Sequence, residues 1–166
     1  MLFGLCVALG VFLADQLSKL YVMHDLLANR GVLIVSDYFN FVRAWNTGVS
    51  FSMFNNWGIW GVICLSLLAL GIVGYLLWWL SHEKNSFVQF SLGCIIGGAL
   101  GNVFDRVRLG AVFDFLDVHV GEYHWPAFNL ADSFICIGAF LIIAQSIWQK
   151  TKNNSQNFAE KIHENR

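Results

Sequence analysis

Asp114 and Asp132 are the two residues of this sequence whose surroundings suggest chemistry, and they stand eighteen positions apart. Asp114 sits in the run Val112-Phe113-Asp114-Phe115-Leu116-Asp117, patterned as a strand, where two flanking phenylalanines would strip water from a carboxyl and raise its pKa. Asp132 follows Asn129 by three residues, at what reads as the mouth of a helix. Its plain role is half of a capping pair, reaching back toward the Asn129 N–H, and an acid is at home in a first helical turn because of the helix dipole. If the two carboxyls face one another, they share one proton. The ionised member can then take a proton from water while the protonated member donates to a peptide carbonyl. That is peptide hydrolysis without a metal or a covalent intermediate. Such a pair titrates as a unit, so neither role belongs to either residue on sequence alone.

The chain holds only eleven acids, so the positions of the others are informative. Glu83, Glu160 and Glu164 read as solvated charges, and Asp25 and Asp37 as loop surface. Asp15 and Lys19 stand four apart in an apolar segment. They read as an ion pair along one helix, the lysine snorkelling to the interface to meet a lipid phosphate or the loops above it. Asn102, Asp105 and Arg106 close the third apolar segment. Asn102 and Arg106 share a face and suit the work of holding loop backbone and orienting the aspartates. Asp117 is an extra acid near the pair, placed to shift its pH range. His119, Glu122 and His124 invite a zinc reading, but their spacing matches no strong metal motif, so neither metal nor cofactor is expected. Ser50 and Ser133 have no base partner in sequence.

Membrane helices are the elements that must position these groups. Of 166 residues, 57% are hydrophobic and 13% charged, with seven Trp and one Pro. Soluble domains carry about 25% charge, so lipid is the solvent for much of this surface. Spans of roughly 20 apolar residues fall at about Leu2–Met23, Trp57–Leu80, Phe87–Phe104 and about Leu130–Trp148. Trp57, Trp60, Trp78, Trp79 and Trp148 mark their interfaces. The N-terminal run has no basic leader and no small-residue cleavage site, so it reads as a retained first helix. Gly93, Gly97 and Gly101 form a smooth stripe for close helix packing. Cys6, Cys64, Cys94 and Cys136 lie in separate apolar segments and read as small buried hydrophobes. The connection at residues 24–56 is long, with β-type runs at Val32–Val35 and Tyr38–Val42, and Val112–Val120 is a third such run. Both termini fall on one side of the membrane, which basic residues favour only weakly as cytoplasmic. The polar residues 149–166 read as a disordered tail. A net charge of −1 and the absence of a long basic run give no reason to expect nucleic acid as a partner.

Five blocks in order resemble the lipoprotein signal peptidases (signal peptidase II). They are Asp15-Gln16-Leu17-Ser18-Lys19, Asn46-Thr47-Gly48-Val49-Ser50-Phe51, residues 97–106 (Gly-Gly-Ala-Leu-Gly-Asn-Val-Phe-Asp-Arg), Val112-Phe113-Asp114-Phe115, and Phe128-Asn129-Leu130-Ala131-Asp132-Ser133. The resemblance implies an all-α polytopic membrane protein of four transmembrane helices with a small extramembrane β-rich subdomain, the peptidase occupying residues 1–148. It implies a monomeric aspartic endopeptidase of the bacterial inner membrane, its site near the outer leaflet. The substrate would be a diacylglyceryl-modified prolipoprotein, cut just before the lipidated cysteine, amid membrane phospholipid. Asp114 and Asp132 would be catalytic, with Asn46, Gly48, Asn102, Arg106, Asn129 and Ala131 in supporting positions. Inhibition by globomycin-type peptides is implied as well. Ser50 departs from a frequent alanine.

Two rivals remain at this stage. A transport or assembly subunit would use intramembrane charges for proton movement or packing, and would spread them through the bilayer depth. Here they gather at one face. A zinc peptidase on His119, Glu122 and His124 would be dismissed by chelator resistance.

Overall fold

The computed structural model describes residues 1–48 and 58–164, with side chains as far as Lys152. Val49, Ser50 and Phe51 of the second block, and the interface marker Trp57, lie outside the described residues. Among the described residues four α-helices form: α1 (Leu2–Tyr21), α2 (Gly58–His82), α3 (Ser86–Leu109) and α4 (Leu130–Glu164). Each is long and apolar enough to cross a membrane, the spans being Leu2–Leu26, Ile59–His82, Ser86–Leu109 and Leu130–Lys152. The molecule is a multi-pass membrane protein, mostly helical. Trp60, Trp78 and Trp148 are exposed on its helices.

Helix α3 is the hub, packed on α1, α2 and α4, and its glycine stripe explains how. A Cβ at Gly93 would stand 2.6 Å from the Gly4 carbonyl oxygen, and one at Gly97 would fall on the Ala8 carbonyl oxygen and 2.8 Å from Val11 Cβ. On a neighbouring face, a Cβ at Gly98 would lie 2.5 Å from the Ala131 carbonyl oxygen. The three backbones therefore touch where side chains are absent, the packing that membranes favour when hydrophobic burial cannot drive association. Gly97→Val is expected to lower stability by about 1–3 kcal/mol through overpacking. A thermal melt in detergent checks this; an unchanged midpoint would mean that α1 yields without cost.

A four-stranded antiparallel sheet completes the fold: β1 (Val32–Ser36), β2 (Phe39–Asn46), β3 (Val112–Val120) and β4 (Tyr123–His124), in that spatial order. Each long connection supplies one hairpin. In β3, Phe113 and Phe115 pack with Val22 and Leu27 from beyond α1, while strand alternation sends Asp114 to the other face. Residues Val22–Leu26 continue α1 as a π-helical turn. Arg43 of β2 donates to the carbonyls of Met23 and Leu27 at 3.0 and 2.7 Å, capping the end of that helix with a cation. Gly121, at φ 60°, makes the turn between β3 and β4.

Two expectations change. Only Cys94 is buried; Cys6, Cys64 and Cys136 are exposed. On a membrane helix the outward face is itself apolar, so a small hydrophobe gains little by turning inward. Helix α4 also does not stop at Trp148 but continues to Glu164, through the polar segment that composition assigns to a disordered tail. Lys, Gln and Glu are good helix formers, and an existing helix extends without a new nucleus.

Candidate functional site

The start of α4 is clipped to the middle of β3. The Phe128 carbonyl accepts from the N–H groups of Phe115 (3.0 Å) and Leu116 (2.8 Å), and the Phe128 N–H donates to the Leu116 carbonyl at 3.1 Å. This brings Asn129 against Asp114. Asn129 and Asp132 then form a reciprocal cap: the Asp132 N–H donates to Asn129 Oδ1 at 3.0 Å, and the Asn129 N–H donates to Asp132 Oδ2 at 3.2 Å. The capping role expected of Asp132 is present.

Asparagines connect the two aspartates. Asn129 Nδ2 donates to Asp114 Oδ1 at 2.7 Å and to Asn102 Oδ1 at 3.1 Å, and Asn102 Nδ2 donates to Asp132 Oδ1 at 2.7 Å. Asn46 Nδ2 donates to Asp114 Oδ2 at 3.1 Å, while its own Oδ1 accepts the Gly48 N–H at 3.0 Å. Arg106 Nη2 donates to the Gly48 carbonyl at 3.0 Å. Asp114 is 2% exposed and Asn129 fully buried, whereas Asp132 is half-buried. Loss of water, and next the negative charge of Asp132, push the Asp114 carboxyl up to about 7, against the amides of Asn46 and Asn129 and the Lys19 charge.

A buried ionic layer lies directly behind. Lys19 Nζ stands 2.8 Å from both Asp15 Oδ2 and Asp105 Oδ2, and donates to Asn102 Oδ1 at 3.4 Å. Asp15 Oδ1 accepts the Ala131 N–H at 2.9 Å, so an anion meets an orphan donor in the first turn of α4. Asp105 Oδ2 accepts the Phe113 N–H at 3.3 Å, holding the start of β3. Between α2, α3 and α4 runs an apolar cleft of about 240 Å³, with Asn102 and Arg106 on its wall. A larger groove of about 550 Å³, walled by α1, α2 and α3, is lined by apolar side chains and holds no group able to act on a peptide.

The family model described as Signal peptidase (SPase) II matches residues 7–148. The chain belongs to the signal peptidase II family. A protein named Lipoprotein signal peptidase from Teredinibacter turnerae is 44% identical over 144 residues, covering 86% of this chain and 85% of its own. One of the same name from Anaplasma phagocytophilum is 39% identical, covering 92% and 96%. A solved bacterial membrane enzyme, obtained by the in meso method at 2.3 Å resolution, superposes with a TM-score of 0.75 at 27% identity, covering 90% of each chain. Signal peptidase II membership makes this protein a protease, and its four helices and small sheet match the architecture that the resemblance implied.

Within this signal peptidase II fold, Asp15, Lys19, Asn46, Gly48, Asn102, Asp105, Arg106, Asp114, Asn129, Ala131 and Asp132 join one network. Two readings are corrected. Lys19 does not snorkel; it is 3% exposed, because two carboxylates hold its ammonium inside the bundle. Asp117 does not face the pair. It lies three residues beyond Asp114, on the opposite face of β3, and bonds Asn40 and His124. Gln16 goes unremarked in a reading by type and spacing. Its Nε2 donates to Asp15 Oδ2 at 3.0 Å and Asp105 Oδ1 at 2.9 Å. Its place directly beside Asp15 in the first block was the only available signal. Ser133 Oγ donates to the Asn129 carbonyl, a bond within the helix.

Proposed function

We propose that this signal peptidase II is an aspartic endopeptidase in which Asp114 and Asp132 hydrolyse the peptide bond just before a diacylglyceryl-modified cysteine of a prolipoprotein. The carrying observation is the asparagine bridge that fixes both carboxyls at once. Asp132, the more accessible of the two, takes a proton from water as that water's oxygen attacks the scissile carbonyl carbon. Asp114, protonated, donates to the carbonyl oxygen as it gains charge. The tetrahedral intermediate then collapses. The C–N bond breaks, the Asp132 proton passes to the leaving amine, and Asp114 recovers its own. Asn46, Asn102 and Asn129 aim the carboxyls, and Arg106 holds the chain at Gly48. Asp15, Lys19 and Asp105 hold α1, α3 and α4 together beneath.

The apolar cleft with Asn102 and Arg106 on its wall supports a substrate that is part lipid and part peptide. The same reading assigns residues 1–148 to the peptidase and 149–166 to a cytoplasmic tail. It places both termini in the cytoplasm and the site and sheet near the outer leaflet of the bacterial inner membrane. The enzyme works as a monomer among phospholipids, without a cofactor, and binds globomycin-type peptides in the substrate groove. Incubation with a prolipoprotein in lipidated and unlipidated forms tests the substrate. Cleavage of the lipidated form alone, with the modified cysteine as the new N-terminus, is expected. Equal cleavage of both would overturn the assignment.

A further inference from the structure

We propose that Asp117, His119 and His124 form a divalent-cation site on the sheet, of the zinc-binding class, with Asn40 as a fourth ligand. The ligand atoms of the three residues all lie within 4.8 Å of one another. Asp117 Oδ1 is 2.8 Å from His124 Nδ1, and Asp117 Oδ2 is 3.9 Å from His119 Nδ1. The two imidazole rings stack face to face, 4.7 Å apart and 7° from parallel. Zinc bonds to nitrogen and oxygen run about 2.0–2.2 Å, so tetrahedral ligand atoms stand about 3.3 Å apart. The present spacings bracket that value, and small side-chain rotations admit the ion.

Asn40 supplies the second observation. It is buried, its Nδ2 donates to Asp117 Oδ2 at 2.9 Å and lies 3.5 Å from His119 Nδ1, and its Oδ1 is buried without a hydrogen-bond partner. A buried acceptor left unmet is costly. A half-turn of the carboxamide gives up the Nδ2 bond to Asp117 and presents Oδ1 to the space between Asp117 and His119, an exchange that a bound cation would reward. That arrangement repels a bare carboxylate and suits a cation. The donor set becomes two imidazoles, a carboxylate and a carbonyl oxygen, a mixture suited to zinc and neighbouring transition ions. A cavity of about 300 Å³, lined in part by His119, His124 and Trp125, opens beside the cluster and gives the ion a route in. Bound there, the ion ties β2, β3 and β4 together just upstream of Asn129. Its role is to brace the sheet; the aspartates are bonded separately.

The test uses the full chain in detergent, stripped with chelator, desalted and titrated with zinc chloride. Wild type is expected to retain one more equivalent of zinc than the His119→Gln/His124→Gln double variant, which keeps His24, His82 and His163 as background sites. Asn40→Ala is expected to weaken zinc binding about tenfold, the scale of a supporting ligand. Equal zinc uptake by wild type and double variant would overturn the site and leave a hydrogen-bonded cluster. If the double variant fails to fold, cobalt decides on wild type alone. A visible absorption band of tetrahedral cobalt, abolished by one equivalent of zinc, supports the site, and no band rejects it.

Discussion

Asp114→Asn and Asp132→Asn each lower single-turnover cleavage of a lipidated prolipoprotein by about 10⁴-fold, the upper end of what a lost general acid or base removes. Both variants are expected to stay folded in detergent, because an asparagine keeps the shape and one of the two acceptor oxygens that the surrounding donors grip. Circular dichroism and gel filtration check that, and full activity in either variant removes that residue from the reaction. The wild-type pH profile carries the same information. Asp114 is raised from 3.8 to about 7, so it holds its proton below that pH and loses it above. Activity that needs Asp114 as the acid is present on the low side and falls about tenfold per unit as pH rises past 7. A rate that keeps climbing to pH 9 would mean that Asp114 does not donate.

Lys19→Ala is expected to have the largest effect on stability. It removes the cation from between Asp15 and Asp105, leaving two buried carboxylates and an unfilled space. Breaking a buried ion pair from one side costs about 3–5 kcal/mol. A protein with net stability of roughly 5–15 kcal/mol loses much of its margin. The expected result is a large drop in the detergent melting point, with activity lost alongside the fold. The triple variant Lys19→Ala/Asp15→Asn/Asp105→Asn regains much of that loss, because no unpaired charge remains. A Lys19→Ala protein that melts like wild type and is impaired only in substrate affinity would restore the lipid-facing reading.

The helices and β3 were legible because their signals are local. Four apolar runs and nine residues of strand pattern at Val112–Val120 need no knowledge of the rest of the chain. Asp114, Asp132 and Asn129 were legible for a similar reason: an acid between phenylalanines and an Asn three residues before an acid are short-range oddities. The burial of Lys19 was not legible, since only half of its charge pairing is local. Asp15 is one turn away on α1, but Asp105 arrives from α3 through helix packing. Asp117 misled because three residues along a chain looks near, while alternation turns the side chain away. The cluster with Asn40, His119 and His124 was hidden for the opposite reason. Spacing offered Glu122 between the histidines, but the β3–β4 turn carries Glu122 to the tip, and cross-strand register brings Asn40 of β2 opposite Asp117.

Asn129 leaves no part of its side chain idle. Oδ1 accepts from Asp132, and the two hydrogens on Nδ2 go to Asp114 and Asn102. Aspartate has the reach but no hydrogens to give, serine has one, and glutamine extends a methylene too far. The position therefore has no synonym among the twenty amino acids. A substitution there is felt twice, once by the helix that begins at it and once by the carboxyl it holds, so neither duty is lost alone.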